Sequence, residues 1–197
     1  MALLVERKEY LAELISWKDE QVIKVVTGIR RCGKSTLLAQ YQDWLKTAGV
    51  SDAQIVSVNF EELEYEELLD YKKLYAYLKE RLVPGKTTYI FLDEIQKVAD
   101  FEKVIDSLYV KPDVDIYITG SNAKLLSGEL ATYLGGRYVE FVIYPFSFGE
   151  FMELYRTITP DASIQQSFQT YLLAGGMPYL ANLRYADAPS KQYLHDL

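Results

Sequence analysis

The hydrophobic positions of this chain switch between two spacings. Over residues 5–18, charged residues interleave with Leu11, Leu14, Ile15 and Trp17 (with Leu4 just before them) three and four apart, which predicts an amphipathic helix. The run "VIKVV" (22–26) is short and β-branched and predicts a buried strand. Beyond Lys34 the helical spacing returns in Leu37, Leu38, Tyr41, Trp44, Leu45 and Ala48, with Gly49 as the expected stop. "IVSVNF" (55–60) reads as a strand. The acidic "EELEYEELLD" opens a helical region reaching Leu82, its charges forming a solvated face, and Pro84 and Gly85 make a turn. A strand over 88–92, a helix over Phe101–Tyr109 and a strand in "VDIYITGSN" follow. "AKLLSGELATYL" predicts a helix or loop–helix closed by Gly135 and Gly136, and "RYVEFVIYPF" a last strand broken at Pro145. From Ser147 to Leu197 the pattern is helical, without a strand signal.

Strands that alternate with helices predict an α/β fold, a parallel sheet covered by helices on both faces. In such sheets ligands bind at the carboxyl ends of the strands. Three polar clusters fall at those ends here, after Val26, after Leu92 and after Ile118.

The first cluster is "TGIRRCGKSTLL", in which Gly28 and Gly33 bracket four positions and are followed by Lys34, Ser35 and Thr36. Glycines let a backbone turn with positive φ and bring its N–H groups against a phosphate chain. A helix starting at Lys34 directs its positive end at that anion. Lys34 adds a cation for the outer phosphates, and the Ser35 hydroxyl suits Mg²⁺. A nucleotide triphosphate cradle over residues 28–36 is therefore expected, with Arg30, Arg31 and Cys32 at its variable positions; for Cys32 a loop-filling role is the simplest reading.

The second cluster, "YIFLDE", ends a buried strand in Asp93 and Glu94. One carboxylate at such a strand end orders the magnesium. The next side chain points elsewhere and is placed to polarise a water in line with the γ-phosphate. Without the phosphate loop the pair would read as a strand-to-helix cap; with it, Asp93 is the expected metal residue and Glu94 the catalytic one, which favours hydrolysis over transfer to a hydroxyl. The third cluster offers Ser121 and Asn122 either as helix caps or as groups reaching the γ-phosphate, and Asn122, able to donate and accept, is the candidate sensor.

Composition narrows the partners. The 197 residues carry a net charge of −7, which disfavours a broad nucleic-acid surface without excluding a local basic patch. The single cysteine precludes an intramolecular disulfide, and no apolar run has the length of a membrane span, so a cytoplasmic setting is expected. No Asn-Lys-x-Asp pattern for reading guanine is present, which favours ATP.

The set "GIRRCGKST", "YIFLDEIQK", "YITGSNAKLLSGELATYLGGRYVEF", "YPFSFGEF" and "LAGGMPYL", in this order over nearly the whole chain, resembles the AAA+-like predicted ATPases of bacteria and archaea, relatives of the signal-transduction ATPases with numerous domains. The resemblance implies a P-loop core (residues 1–146) with strand order 5-1-4-3-2, and a helical or winged-helix lid beginning at 147–197. It also implies that Arg137, just before the last strand, corresponds to an arginine finger, the alternative being a local helix-end partner. Pro178 of "GMP" then corresponds to a proline packed near the base. Family members are usually longer, and the apparent helix running to Leu197 leads us to expect a fragment whose effector end lies beyond it; the lone His195 is given no role. The expected activity is magnesium-dependent ATP hydrolysis in a switch or motor, with a homo-oligomer as one expected assembly. The alternatives are a module that holds nucleotide with negligible turnover and a nucleotide-dependent DNA-binding protein.

Overall fold

The central strands are apolar on both faces, and this decides the layering. In β1 (Ile23–Gly28), Ile23 and Val25 face one side and Lys24 and Val26 the other, all of them buried. β3 (Thr88–Asp93) repeats the pattern, with Ile90 and Leu92 on the first side and Tyr89 and Phe91 on the second. Strands buried on both faces belong inside an α/β/α sandwich. The computed structural model describes residues 5–120 and 134–197. In it β2 (Ile55–Asn59), β4 (Val114–Thr119) and β5 (Tyr138–Ile143) complete an all-parallel sheet of order β2-β3-β4-β1-β5, the order the resemblance implied.

α1 (Lys8–Ser16) and α2 (Lys34–Thr47) cover the second face through Leu11, Leu14, Leu37, Leu38, Tyr41 and Leu45. α3 (Tyr71–Glu80) and α4 (Phe101–Tyr109) cover the first through Leu74, Leu78, Val104, Ile105 and Leu108. The acidic region is not one helix. A 3₁₀ stretch, Leu63–Leu69, ends where Asp70 turns extended (φ −79°, ψ 118°) to cap α3. Its carboxylate accepts from the amides of Lys72 (2.8 Å) and Lys73 (3.1 Å), and these bonds hold it below the usual carboxylate range. An N-cap needs a non-helical backbone, so the cap itself splits the helix.

One polar group is built into the α1–α2 face. The Lys24 ammonium, fully buried, lies 2.5 Å from Asp115 Oδ1 and donates to the Glu20 carbonyl at 2.6 Å. Tyr117 and the Asp19 amide both donate to the other oxygen of Asp115 at 3.0 Å.

The C-terminal region forms α5 (Phe148–Ile158), α6 (Ile164–Ala174) and α7 (Asp187–His195). Ser147 and Ser163 open α5 and α6 with capping boxes closed by Glu150 and Gln166. This layer has its own core of Phe146, Phe151, Met152, Leu154 and Ala181, to which Val5 contributes from the start of the described chain. The Phe146 amide donates to the Gly176 carbonyl at 2.7 Å, and a Cβ on Gly176 would sit 2.1 Å from the Phe146 oxygen, so this crossing requires glycine. The last strand stops at Ile143, short of the expected stretch, and of the element expected over 123–134 only Leu134 lies within the described residues. Among the described residues no helix is long and apolar enough to cross a membrane.

Candidate functional site

β1 runs into the loop at Gly28, where φ is +145° and a Cβ would lie 2.3 Å from the Ile143 carbonyl oxygen and 2.9 Å from Cys32 Sγ. Arg31 (φ 65°) and Gly33 (φ 103°) are also left-handed, so the chain folds back on itself and reaches Lys34 as the first residue of α2. The amides of that first helical turn have no acceptor within the helix. The Lys34 ammonium is almost wholly buried, donating to the Gly28 and Ile29 carbonyls at 3.2 Å each, while Ser35 and Thr36 are exposed. Cys32 turns its side chain away from the opening into the core formed with Val26 and Leu37, and burial pushes its thiol pKa up.

β3 delivers the two carboxylates in different directions. Asp93 is buried and accepts a hydrogen bond from the Thr119 hydroxyl at the end of β4. Glu94 takes a left-handed backbone (φ 56°), donates its amide to Thr119 Oγ1 at 3.0 Å and is half-buried, with its carboxylate accepting from the Gln96 amide group. Thr119 thereby ties both acids to the neighbouring strand.

A cleft of about 610 Å³ opens over the loop. Arg30, Arg31, Gly33, Lys34, Ser35 and Thr36 form its floor, and Glu61 and Glu94 stand on one wall. Phe146, Pro178, Tyr179 and Asn182 close it from the C-terminal layer, and Val5 and Arg7 from the N-terminal segment. Arg30 and Glu61, both in its lining and both exposed, pair at 3.7 Å.

The fold thus brings Arg31, Gly33, Lys34, Ser35, Thr36, Glu94 and Pro178 to one cleft, with Gly28, Cys32 and Asp93 just beneath it. Ser121 and Asn122 lie outside the described residues. Arg137 is not at the cleft. Its carbonyl accepts from the Ile23 amide at 2.8 Å, at the start of β1, the end of the strand opposite Gly28. Its guanidinium is 3.4 Å from Asp106 and lies over the Tyr109 ring. Sequence reading missed Thr119, Glu61 and Arg7. Thr119 stood two residues from the flagged Ser121, whereas Glu61 and Arg7 sat among other charges that read as solvated faces.

The donor set fits a triphosphate with a hard cation. A buried ammonium stands at a helix N-terminus, and the hydroxyl of Ser35 and the carboxylate of Asp93 are the oxygen ligands such an ion takes. Among the described residues no group of three or more His, Cys, Asp or Glu side chains is arranged to hold a metal ion.

A family profile described as an AAA domain matches residues 20–152. An uncharacterised protein of Haemophilus influenzae is 40% identical over 190 residues, which is 96% of this chain and 47% of that protein, so the chain spans about half the length of this relative. Among solved structures, a Walker-type ATPase of Pyrococcus abyssi superposes with a TM-score of 0.65 at 18% identity, covering 98% of this chain and 74% of that one. A signal-transduction ATPase with numerous domains from Pyrococcus horikoshii, carrying a tetratricopeptide repeat sensor, superposes with a TM-score of 0.57 at 16% identity over 100% of this chain and 33% of that one. At these identities the two structures speak for an AAA+-like P-loop fold, and the profile match, which spans more than half of the chain, gives the family: the chain belongs to the AAA domain family.

Proposed function

We propose that this domain binds magnesium ATP in the cleft over residues 28–36, hydrolyses it, and acts as a conformational switch or motor. The single observation that carries the reading is the convergence of Lys34 and Glu94, from two different strand ends, on one cleft closed by Pro178 of the C-terminal layer. In this reading Lys34 neutralises the outer phosphates, and the amides of the loop hold the phosphate chain. A magnesium ion bound by Ser35 and Asp93 would supply charge neutralisation at the β- and γ-phosphates. Glu94 is left to accept the proton of an attacking water, its position held by the Thr119 bond to its amide and by Gln96 on its carboxylate. Asn122 is assigned the sensing role and Arg137 that of a finger offered to a neighbouring copy. The active compartment is taken to be the cytoplasm, and residues 147–197 are taken as the lid.

Two substitutions test the reading by calorimetry and phosphate release. Lys34→Ala should weaken ATP binding at least about tenfold, the scale set by loss of one charge-assisted contact. Glu94→Gln should bind ATP like the parent and lose at least about a hundredfold in turnover, as expected for removal of a general base. Unchanged ATP affinity in a folded Lys34→Ala protein would sink the assignment. A parent that binds ATP but releases no phosphate would favour the nucleotide-holding alternative.

A further inference from the structure

Arg7 is the most heavily engaged cation near the cleft, and the chemistry above makes no use of it. Its side chain is buried and bridges three parts of the molecule. Nη1 donates to the carbonyl of Cys32 in the phosphate loop at 3.2 Å. Nη2 donates to the carbonyl of Tyr144, just past β5, at 2.9 Å. Nε lies 2.5 Å from Glu150 Oε1 in the first turn of α5, as an ion pair whose N–H is not aligned for a hydrogen bond. The guanidinium also lies over the rings of Tyr10 and Phe146, at 4.7 and 5.3 Å.

Glu150 is committed on its other oxygen. Oε2 accepts from the Ser147 amide at 2.8 Å and completes the capping box that starts α5. One carboxylate therefore caps the first lid helix with one oxygen and meets Arg7 with the other. The Arg7 main-chain amide is itself held by Gln40 of α2 at 3.3 Å, and Gln40 donates to the Val5 carbonyl at 2.7 Å, which anchors the bridge on the helix that follows the phosphate loop. A second contact joins the same two regions: Arg31, left-handed in the loop next to Cys32, lies over the Tyr193 ring of α7 at 5.7 Å.

We propose that Arg7 is a positioning residue, a strut that couples the conformation of the phosphate loop to the seating of the lid through the Cys32 carbonyl on one side and Glu150 on the other. A guanidinium suits this because its five donors form a rigid planar fork that can hold several acceptors in fixed relation; an ammonium has no such plane. Any rearrangement of the loop on binding phosphate shifts the Cys32 carbonyl, and the fork transmits that shift to the Arg7–Glu150 pair and hence to the N-terminus of α5. The proposal rests on the nucleotide reading for its trigger, while the strut itself rests on the Cys32, Tyr144 and Glu150 contacts alone.

Hydrogen exchange measured on the full chain, with and without saturating magnesium ATP, tests it. Glu150→Gln is the informative variant, because glutamine still closes a capping box but leaves Arg7 without its anion. Arg7→Lys keeps the charge and loses the fork. In the unliganded protein, Glu150→Gln should raise exchange of the loop amides of residues 30–35 by about tenfold, the scale of one lost charge-assisted contact. With ATP, the parent should show altered protection in the first turn of α5, and Glu150→Gln, which lies outside the cleft lining, should bind ATP yet lose that response. Loop exchange in unliganded Glu150→Gln identical to the parent overturns the strut, even if Arg7→Lys fails to fold. An α5 response that persists in Glu150→Gln, or is absent from a parent that binds ATP, overturns the coupling. A parent that binds no ATP overturns the nucleotide reading, and the unliganded exchange arm still decides for or against the strut.

Discussion

Cys32 shows how one side chain can belong to a ligand loop in sequence and to the core in space. It faces Val26 and Leu37 beneath the loop, with its sulfur against the Gly28 backbone. Burial raises its thiol pKa, despite the opposing fields of Lys34 and Arg7. A thiol that holds its proton in the fold is a poor nucleophile. Native protein at mild alkaline pH should therefore react with a disulfide reagent at least about tenfold more slowly than urea-unfolded protein, followed by absorbance. The sign of the linkage follows from the same shift. Because the folded thiol titrates above the unfolded one, its contribution to stability is whole below the ordinary thiol value and is lost as pH rises through the folded value. Fast labelling of the native state would show instead that the loop opens readily.

At the scale of elements, two close approaches decide how neighbouring elements meet. The crossing of Gly176 over Phe146 ties the segment after α6 to the segment before α5. Gly176→Ala places a methyl against a backbone oxygen that cannot rotate away, and should cost about 1–3 kcal/mol in urea unfolding, the range for overpacking, with faster hydrogen exchange confined to α5–α7. Equal loss of protection in the central sheet would contradict a local effect. The second approach is β1 against β4 through Lys24 and Asp115. Burial pushes the Asp115 pKa up even with the Lys24 ammonium beside it, and Tyr117 is raised as well. Lys24→Met would strand a buried carboxylate and should destabilise by about 3–5 kcal/mol at neutral pH. A raised carboxyl pKa means a contribution that is whole at acid pH and is lost as pH rises through the folded value. The gap between parent and Lys24→Met, measured by urea titration, should therefore narrow as pH falls toward the carboxylate range. A gap independent of pH would mean that Asp115 stays charged in the variant.

On the scale of the whole molecule, Arg137 and the cleft lie at opposite ends of the sheet. The finger role proposed for it therefore requires a second copy packed head-to-tail, so that the arginine of one chain meets the cleft of the next. An arginine supplied in trans is worth on the order of 10³ in rate with little effect on nucleotide binding. Arg137→Ala should then bind ATP normally and hydrolyse it poorly. The specific activity of the parent should rise with protein concentration, and a mixture of Arg137→Ala with Glu94→Gln should recover part of the turnover that neither variant has alone. A dead mixture and a flat concentration profile would return Arg137 to the local contact it makes with Asp106 and Tyr109. The H. influenzae relative extends well beyond the length matched here.

Much of this architecture was legible in the chain because local rules carry it. β-branched runs followed by helical spacing mark a parallel sheet. Two glycines, Lys34 and Ser35 between a strand and a helix mark the candidate anion loop, and the acids that follow the β3 run are visible as a pair, although their divergence comes from the left-handed turn at Glu94, just past the strand, and not from strand alternation. The split at Asp70 was missed, since an N-cap inside an acidic run looks like one more solvated charge. What only the tertiary structure decided are the contacts between residues distant in sequence. Thr119 clamps both Asp93 and Glu94 because β4 lies beside β3. Arg7 reaches Cys32, Tyr144 and Glu150 because the N-terminal segment passes between the loop and the C-terminal layer. Periodicity reports which face of an element is buried, and it is silent on which distant carbonyl or carboxylate a buried cation will find there.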